Sequence, residues 1–408
     1  MKEHKSFINN NTRAIIGIIL VALALRPSLV SIGPSLASIK GYFGLSHASA
    51  ALLISIPDLL MGVLALTIPW LVNKMGRNPL IIGSLVVIAV STLARAYSNN
   101  LTTLLLTTVG IGTGIAIAGA LLSGFVKANF PAKAALVMGI YSTSLSLGST
   151  LSAVATAPIL KLTNSWREAT GIWALPALFG LIAWLFVYAK ESKLPEIPRD
   201  PGCSKIPWKN GMAWRIALFF ACVNFLFYSL LAWTATLYIE HGMSINSAGY
   251  ILGCFTFFFM LSSPIFGALS KSVDRRGWLV ASSAIALSGL LMIAFNPGFA
   301  PFVMIAIMAF GLGGTFTLGM TLPLDNTNHP DETNAWTAFV LTIGYLLASC
   351  GPLLLGKLRD LTGGFQVPML TLVVIATAML LLGLTLKPKP INNEDEEKLL
   401  QEIRELLD

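Results

Sequence analysis

Two charged side chains stand inside apolar runs. Arg26 interrupts the run from Ala14 to Leu36, and Asp58 interrupts the next, from Ala48 to Leu71. A charge at mid-bilayer depth costs several kcal/mol, roughly 2.5–3.5 on insertion scales, so it persists only for a partner or a task. Arg26 lies twelve residues from Ala14, and Asp58 twelve from Trp70. That is about 18 Å each at ~1.5 Å per helical residue. Antiparallel neighbours that begin and end on one side therefore bring the two charges to one level near the midplane, where carriers hold their solutes.

Two chemistries fit this pair. One is an ion pair that locks the first helix to the second, each charge offsetting the other's desolvation. The other makes Arg26 the docking group for a small anion and Asp58 its switchable, proton-coupling counter-ion. A guanidinium keeps its charge when desolvated and offers a planar fork to an anion. Pro27 lacks an N–H and leaves the Leu23 carbonyl without its helical donor, so a bend is expected beside Arg26; Pro57 is expected to bend the second helix likewise.

Other polar side chains inside spans are candidate cavity lining: Tyr141 and Ser144, then Asn224 and Tyr228 one turn apart, Thr317 and Thr321, and Tyr345. Of these, Asn224, Tyr228, Tyr141, Tyr345 and Thr317 join Arg26 as candidate substrate-binding residues. Each also reads as a helix–helix hydrogen bond. Asn224 and Tyr228 stand first, because their span is the repeat-mate of the span carrying Arg26.

Composition dictates the elements that carry these residues. Hydrophobic residues make up 55% of the chain and charged ones 11%, with mean hydropathy +0.75. A soluble domain carries about 25% charged residues. Twelve transmembrane helices are predicted, near 14–36, 48–71, 79–97, 101–126, 134–160, 167–189, 213–239, 247–270, 278–296, 301–323, 334–356 and 366–387. Of the 27 lysines and arginines, twenty fall in loops or span ends of one parity, six, Arg95 among them, in those of the other, and Arg26 alone deep within a span. The net charge of +8 is thus a positive-inside signature with both termini cytosolic, not a nucleic-acid footprint. No small-residue cleavage site follows the first run, so no cleavable leader is expected. The four histidines read as isolated and outside the spans, and the four cysteines lack metal or disulfide spacing. No metal, no cofactor and no enzymatic activity are expected.

The chain divides into a six-helix half over 1–189, a proline-rich cytosolic linker over 190–211, a second half over 212–388 and an acidic amphipathic tail over 389–408. The halves echo one another. Lys161-Leu-Thr-Asn-Ser-Trp166 after the fifth span parallels Asp360-Leu-Thr-Gly-Gly-Phe365 after the eleventh, and the loop from Pro69 to Arg77 parallels Gly267 to Arg276. A duplicated unit of this kind is known among secondary transporters. Gly110-Ile-Gly-Thr-Gly114 lies in an apolar helix and reads as close packing, not a nucleotide fingerprint. Gly351 to Lys357 begins like a phosphate loop, but Leu358 stands where Ser or Thr must hold magnesium. ATP-driven pumping is not indicated.

The whole membrane part resembles the major facilitator superfamily. Its inter-helix charge motif survives in degraded form: Lys74, Gly76 and Arg77 in the first half, with Asp274 and Arg275 in the second, are candidate gating-loop residues. Ala24-Leu-Arg-Pro27, Phe130-Pro131 through Gly139-Ile-Tyr141, Ala213-Trp214, and Gly344 to Pro352 with Gly356-Lys-Leu-Arg-Asp360 are similar to the cyanate and 2-nitroimidazole permease group. That resemblance implies a proton-motive-force-dependent carrier of small polar or anionic solutes in the bacterial cytoplasmic membrane, with the group's helix-one arginine matching Arg26. Asp58 departs from the group, where that place tends to be apolar. The expected partners are a small-molecule substrate, protons and the lipid bilayer, with the monomer as working unit. A drug-efflux antiporter is the runner-up, although the fifth span offers only Gly148 between Ser144 and Thr150 in place of the glycine-rich ending of such antiporters. A transporter-like sensor is the third reading.

Overall fold

Within lipid every backbone polar group must be satisfied inside its own segment, and an apolar run of about twenty residues does this as a helix. The computed structural model describes residues 2–65, 67–130, 134–191, 206–270, 274–327 and 330–387. Among the described residues, twelve helices are long and apolar enough to span a membrane. They are α1 (Thr12–Phe43), α2 (His47–Ala65), α3 (Arg77–Ala96), α4 (Leu101–Val126), α5 (Val137–Thr163) and α6 (Trp166–Ala189). The second half contributes α7 (Gly211–Glu240), α8 (Ile245–Leu269), α9 (Arg276–Phe295), α10 (Pro301–Asp325), α11 (Ala335–Thr362) and α12 (Gln366–Thr385). No strand occurs among the described residues. Most of the 190–211 linker, the 389–408 tail and Lys271 lie outside them.

The two halves repeat one packing scheme. In the first, α3 packs on α4, α2 on α4 and α1 on α5 and α6; in the second, α9 packs on α10, α8 on α10 and α7 on α11 and α12. Across the molecular centre α2 meets α11, α5 meets α8, and the far part of α1 meets α7. Glycines set the closest approaches, as small residues do between membrane helices. A Cβ on Gly112 of α4 would stand 2.7 Å from Pro57 Cα of α2, and Gly110 and Gly114 meet Ser91 and Ile88 of α3. The same pattern returns in α10, where Gly311 meets Ala286 of α9 and Gly313 meets Phe259 and Ser262 of α8.

The echo between Lys161–Trp166 and Asp360–Phe365 is structural. Thr163 Oγ donates to the carbonyls of Ile159 and Ser165, and Thr362 Oγ donates to those of Leu358 and Gly364. Each helix then stops at a left-handed residue, Asn164 at φ 50° and Gly363 at φ 73°. Asn and Gly are the residues that tolerate this conformation.

Several spans run longer than predicted. α1 extends to Phe43 and α11 to Thr362, so Lys40, Lys357, Arg359 and Asp360 belong to helix ends rather than loops. Charged residues in a last turn can reach past the apolar zone, so polarity alone does not end a helix. Arg95, counted among loop charges, is buried at the end of α3 with 1% exposure. Pro57 leaves α2 uninterrupted; the break comes later, before the short helix Ile68–Met75. A proline removes one hydrogen bond, and here Gly112 seats α4 directly against it.

Candidate functional site

The break expected from Pro27 is present. Arg26 (φ −98°, ψ −30°) ends the first stretch of α1, Pro27–Val30 forms a single turn, and the helix resumes at Ile32. The Arg26 carbonyl accepts from the N–H groups of Leu29 and Val30 at 3.1 and 3.0 Å. The Leu23 carbonyl, which Pro27 deprives of its donor, lies against Gly148 of α5, where a Cβ would collide with it. Arg95 closes the other end of the break: its guanidinium donates to the Ser28 carbonyl at 2.7 Å and to Thr108 of α4 at 3.2 Å. The irregular stretch of α1 is thus held by α3, α4 and α5, and Arg26 is presented from it.

Arg26 reaches across to the other half. It donates to Tyr228 Oη of α7 at 2.8 Å, and its guanidinium carbon lies 5.7 Å from the centre of that ring. Tyr345 of α11 and Tyr141 of α5 complete its electrostatic surroundings, and the Tyr228 and Tyr345 rings are 6.2 Å apart. Arg26, Tyr228, Tyr141 and Tyr345, all candidate substrate-binding residues from the sequence, are therefore brought into one electrostatic neighbourhood.

Asp58 is wholly buried, and neither carboxyl oxygen has a hydrogen-bond partner. Arg26 acts on it through charge, yet no ion pair joins them. The direct pairing that equal depth suggested is corrected: the guanidinium turns to Tyr228 instead. Depth along two helices fixes a level, not the direction in which side chains extend. Asn224 and Thr317 make their hydrogen bonds elsewhere than to Arg26. Asn224 Nδ2 donates to the Phe220 carbonyl at 2.9 Å, and Thr317 Oγ to the Gly313 carbonyl at 3.0 Å, each within its own helix. Such back-bonding is the ordinary resting state of short polar side chains in helices.

The gating-loop candidates take separate roles. Gly76 joins Ile68–Met75 to α3 at φ 80°, a value that suits glycine; Arg77 opens α3, and Lys74 Nζ lies 5.3 Å from the Trp70 ring centre. In the second half Arg275 donates to Asp325 at the end of α10 at 2.6 Å and to the Ser270 carbonyl. Asp274 pairs instead with Arg276, whose side chain and backbone N–H both hydrogen-bond its carboxylate and hold it below the usual carboxylate range.

At the opposite end, a charged cluster was missed. His47, read as isolated, opens α2 and is 5% exposed. Its Nδ1 lies 2.6 Å from Asp360 Oδ1 of α11, and its Nε2 lies 2.6 Å from Lys40 Nζ of α1 and 3.4 Å from Glu240 of α7. The two Asp360 oxygens accept the backbone N–H groups of His47 and Ala48, both at 3.0 Å. Arg359 pairs with Glu240 at 2.9 Å. One half's acid thereby caps the other half's helix and ties the halves together at this end. The signal lay in Lys40, His47, Glu240 and Asp360 all falling at span ends of one parity.

Twelve apolar helices among the described residues, in two repeated halves tied together at one end and meeting around a partly buried arginine and a buried acid without a hydrogen-bond partner, make a membrane carrier. The chain belongs to the Major Facilitator Superfamily, whose profile matches residues 16–349 and 235–407. It is similar to the cyanate transport protein CynX of Escherichia coli (strain K12), at 30% identity over 85% of this chain and 90% of that protein. The 2-nitroimidazole transporter of the same organism is 25% identical over 92% and 95% of the two chains. The nitrite extrusion protein of Bacillus subtilis (strain 168) is 22% identical over 83% and 85%. Among solved structures, a bacterial homologue of the human lysosomal transporter Spinster superposes with TM-score 0.74 at 16% identity, covering 93% of this chain and 99% of that one; the fold is shared. The protein is a multi-pass transporter of the bacterial cytoplasmic membrane, not an enzyme.

Proposed function

We propose that this chain carries a small polar or anionic solute across the membrane by alternating access, in company with a proton. The reading rests on one observation: a guanidinium placed at the meeting of both halves, hydrogen-bonded to a neutral phenol and to no carboxylate. Such an arginine has charge to offer an anion, and its planar fork suits a carboxylate or a similar group. The relatives named for cyanate and nitrite carry solutes of this charge.

Asp58 is the proton site of this scheme. A buried carboxyl without hydrogen bonds is costly as a bare charge, so a proton on Asp58 and an anion on Arg26 let the loaded centre cross without net charge beyond that of the empty carrier. Release of the anion frees Arg26 to turn toward Asp58 and expel the proton. Lys74, Gly76, Arg77, Asp274 and Arg275 serve as hinges and anchors at one end while the halves rock. The cluster around His47 closes the other end, and a single copy in the bilayer suffices.

Proteoliposomes test this. Under an inward proton gradient, uptake of a labelled anion is expected to exceed equilibrium and to collapse with a protonophore. Uptake indifferent to the gradient removes the coupling, and a thermal-shift screen with no stabilising anion at either of two pH values removes the anion site.

A further inference from the structure

Tyr228, which Arg26 contacts, belongs to an aromatic cluster of the second half whose rings form a closed circuit. Centre-to-centre distances run 6.2 Å from Tyr228 to Tyr345, 6.3 Å on to Phe220 and 5.6 Å on to Phe316. They continue 5.5 Å to Phe259, 4.6 Å to Phe227 and 5.1 Å back to Tyr228. Four helices contribute: α7, α8, α10 and α11. Phe227, Phe316 and Tyr345 are only partly buried, as is Arg26, whereas Tyr228, Phe220 and Phe259 are buried. The first half is built differently. Its matching helices α1, α2, α4 and α5 carry only Tyr42, Phe43, Phe125 and Tyr141 as aromatic residues. Tyr42 and Phe43 sit at the end of α1, and Phe125 packs on Trp184. One half therefore supplies charge and the other supplies ring surface.

Resting on the proposal that Arg26 docks an anion, we infer that the transported solute is a flat, π-conjugated monoanion, of which a single-ring aromatic carboxylate is the simplest member. The guanidinium fork takes the carboxylate, and the tyrosine hydroxyls donate to it. The partly exposed rings meet the solute's π system by offset or edge-to-face contact, which is worth about 0.5–1.5 kcal/mol beyond area burial. A linear or triatomic anion satisfies Arg26 but leaves the ring surface unused. A solute that needs both halves at once also couples its binding to their closure.

Calorimetric titration of the purified full-length carrier with benzoate, cyclohexanecarboxylate, benzamide and cyanate tests the inference. Cyclohexanecarboxylate matches benzoate in charge and approximate size but lacks a π face; benzamide keeps the ring without the charge. Benzoate is expected to bind about three- to tenfold more tightly than cyclohexanecarboxylate, as that stacking energy implies, and benzamide weakly. Phe316→Leu and, separately, Phe227→Leu are expected to bring the benzoate to cyclohexanecarboxylate ratio towards one without abolishing either, which also guards against misfolding of one variant. Equal affinities in the wild type, tighter binding of cyanate, or a ratio unmoved by both variants overturns the inference. If cyanate alone binds and Arg26→Gln abolishes it, the anion site stands and the aromatic specificity falls. If Arg26→Gln leaves every affinity unchanged, the anion site itself falls and takes the inference with it.

Discussion

Arg26 donates to Tyr228 at 2.8 Å across 202 positions of the chain, so the cation of one half rests on a phenol of the other. The bond depends on the interruption of α1, since a regular helix through Pro27 would carry the guanidinium elsewhere. When an anion docks, the Tyr228 hydroxyl is free to reverse its role and donate to the anion. Tyr228→Phe is therefore expected to raise the KM for uptake about tenfold, the loss of roughly 1.4 kcal/mol that one hydrogen bond involving a charge accounts for. Arg26→Gln abolishes uptake with normal membrane insertion, and Arg26→Lys does not restore it, because an ammonium lacks the planar fork. Initial-rate uptake in proteoliposomes, with surface-exposed protein quantified, reads all three.

In the proposed scheme Asp58 separates coupling from movement. Asp58→Asn fixes the side chain in a form equivalent to the protonated acid. Counterflow exchange of labelled for unlabelled solute is expected to continue, while accumulation driven by a pH gradient is lost. Accumulation that survives in Asp58→Asn removes the coupling role.

The cluster around His47 joins the two halves at one face. Asp360 caps the first turn of α2 through two backbone N–H groups, and a helix cap of this kind contributes about 0.5–2 kcal/mol. A bistable bundle whose closed form loses that much shifts by roughly two- to thirtyfold in population. Asp360→Ala is expected to open this end: spin labels at Gly41 and Lys357, both exposed, should move apart in pulsed electron–electron resonance. Asp360→Asn keeps one acceptor and lies between. An unchanged distance distribution in Asp360→Ala denies the cluster a gating role.

What the sequence disclosed and what it hid follow from range. Helix number and the break at Arg26 are local, written in apolar runs and in the missing N–H of Pro27, and both were legible. The duplicated unit was legible because Thr163 and Thr362 repeat one helix ending, with Asn164 and Gly363 filling the same left-handed position. The glycines of α4 announced close packing without naming Pro57 or Ile88 as partners. Contacts between spans were less legible. Equal depth brought Arg26 and Asp58 to one level but could not say that the guanidinium would choose Tyr228. The aromatic circuit draws on four helices, and no spacing in one span reveals that Phe316 stands beside Phe220. His47 looked isolated because its partners, Glu240 and Asp360, lie far along the chain.

The hydrogen bonds from Arg276 hold the Asp274 carboxyl below its ordinary value of 3.8. A group depressed in the folded state contributes stability above its unfolded value and loses it as pH falls through the folded one. The melting-temperature difference between wild type and Asp274→Asn should persist from neutral pH down to the ordinary carboxylate range, then close on further acidification. Because Asp274 is 41% exposed, the difference should be small and reduced by salt. A difference that already vanishes near pH 5 contradicts the pairing.

Gly148 is the most demanding packing position beside the site. A Cβ there would run into the carbonyl of Leu23 and stand 3.2 Å from its Cα, and both are backbone atoms that cannot turn aside. Gly148→Ala must either push α5 away from α1 or straighten the stretch that carries Arg26. Overpacking of this kind costs about 1–3 kcal/mol. The variant is expected to melt lower and to lose affinity for anions, although residue 148 has no charge to offer them. Gly139→Ala, in the same helix with open space at its Cβ, is the control and should leave both measurements near wild type. Normal anion affinity in a folded Gly148→Ala would mean that Arg26 keeps its placement without this contact.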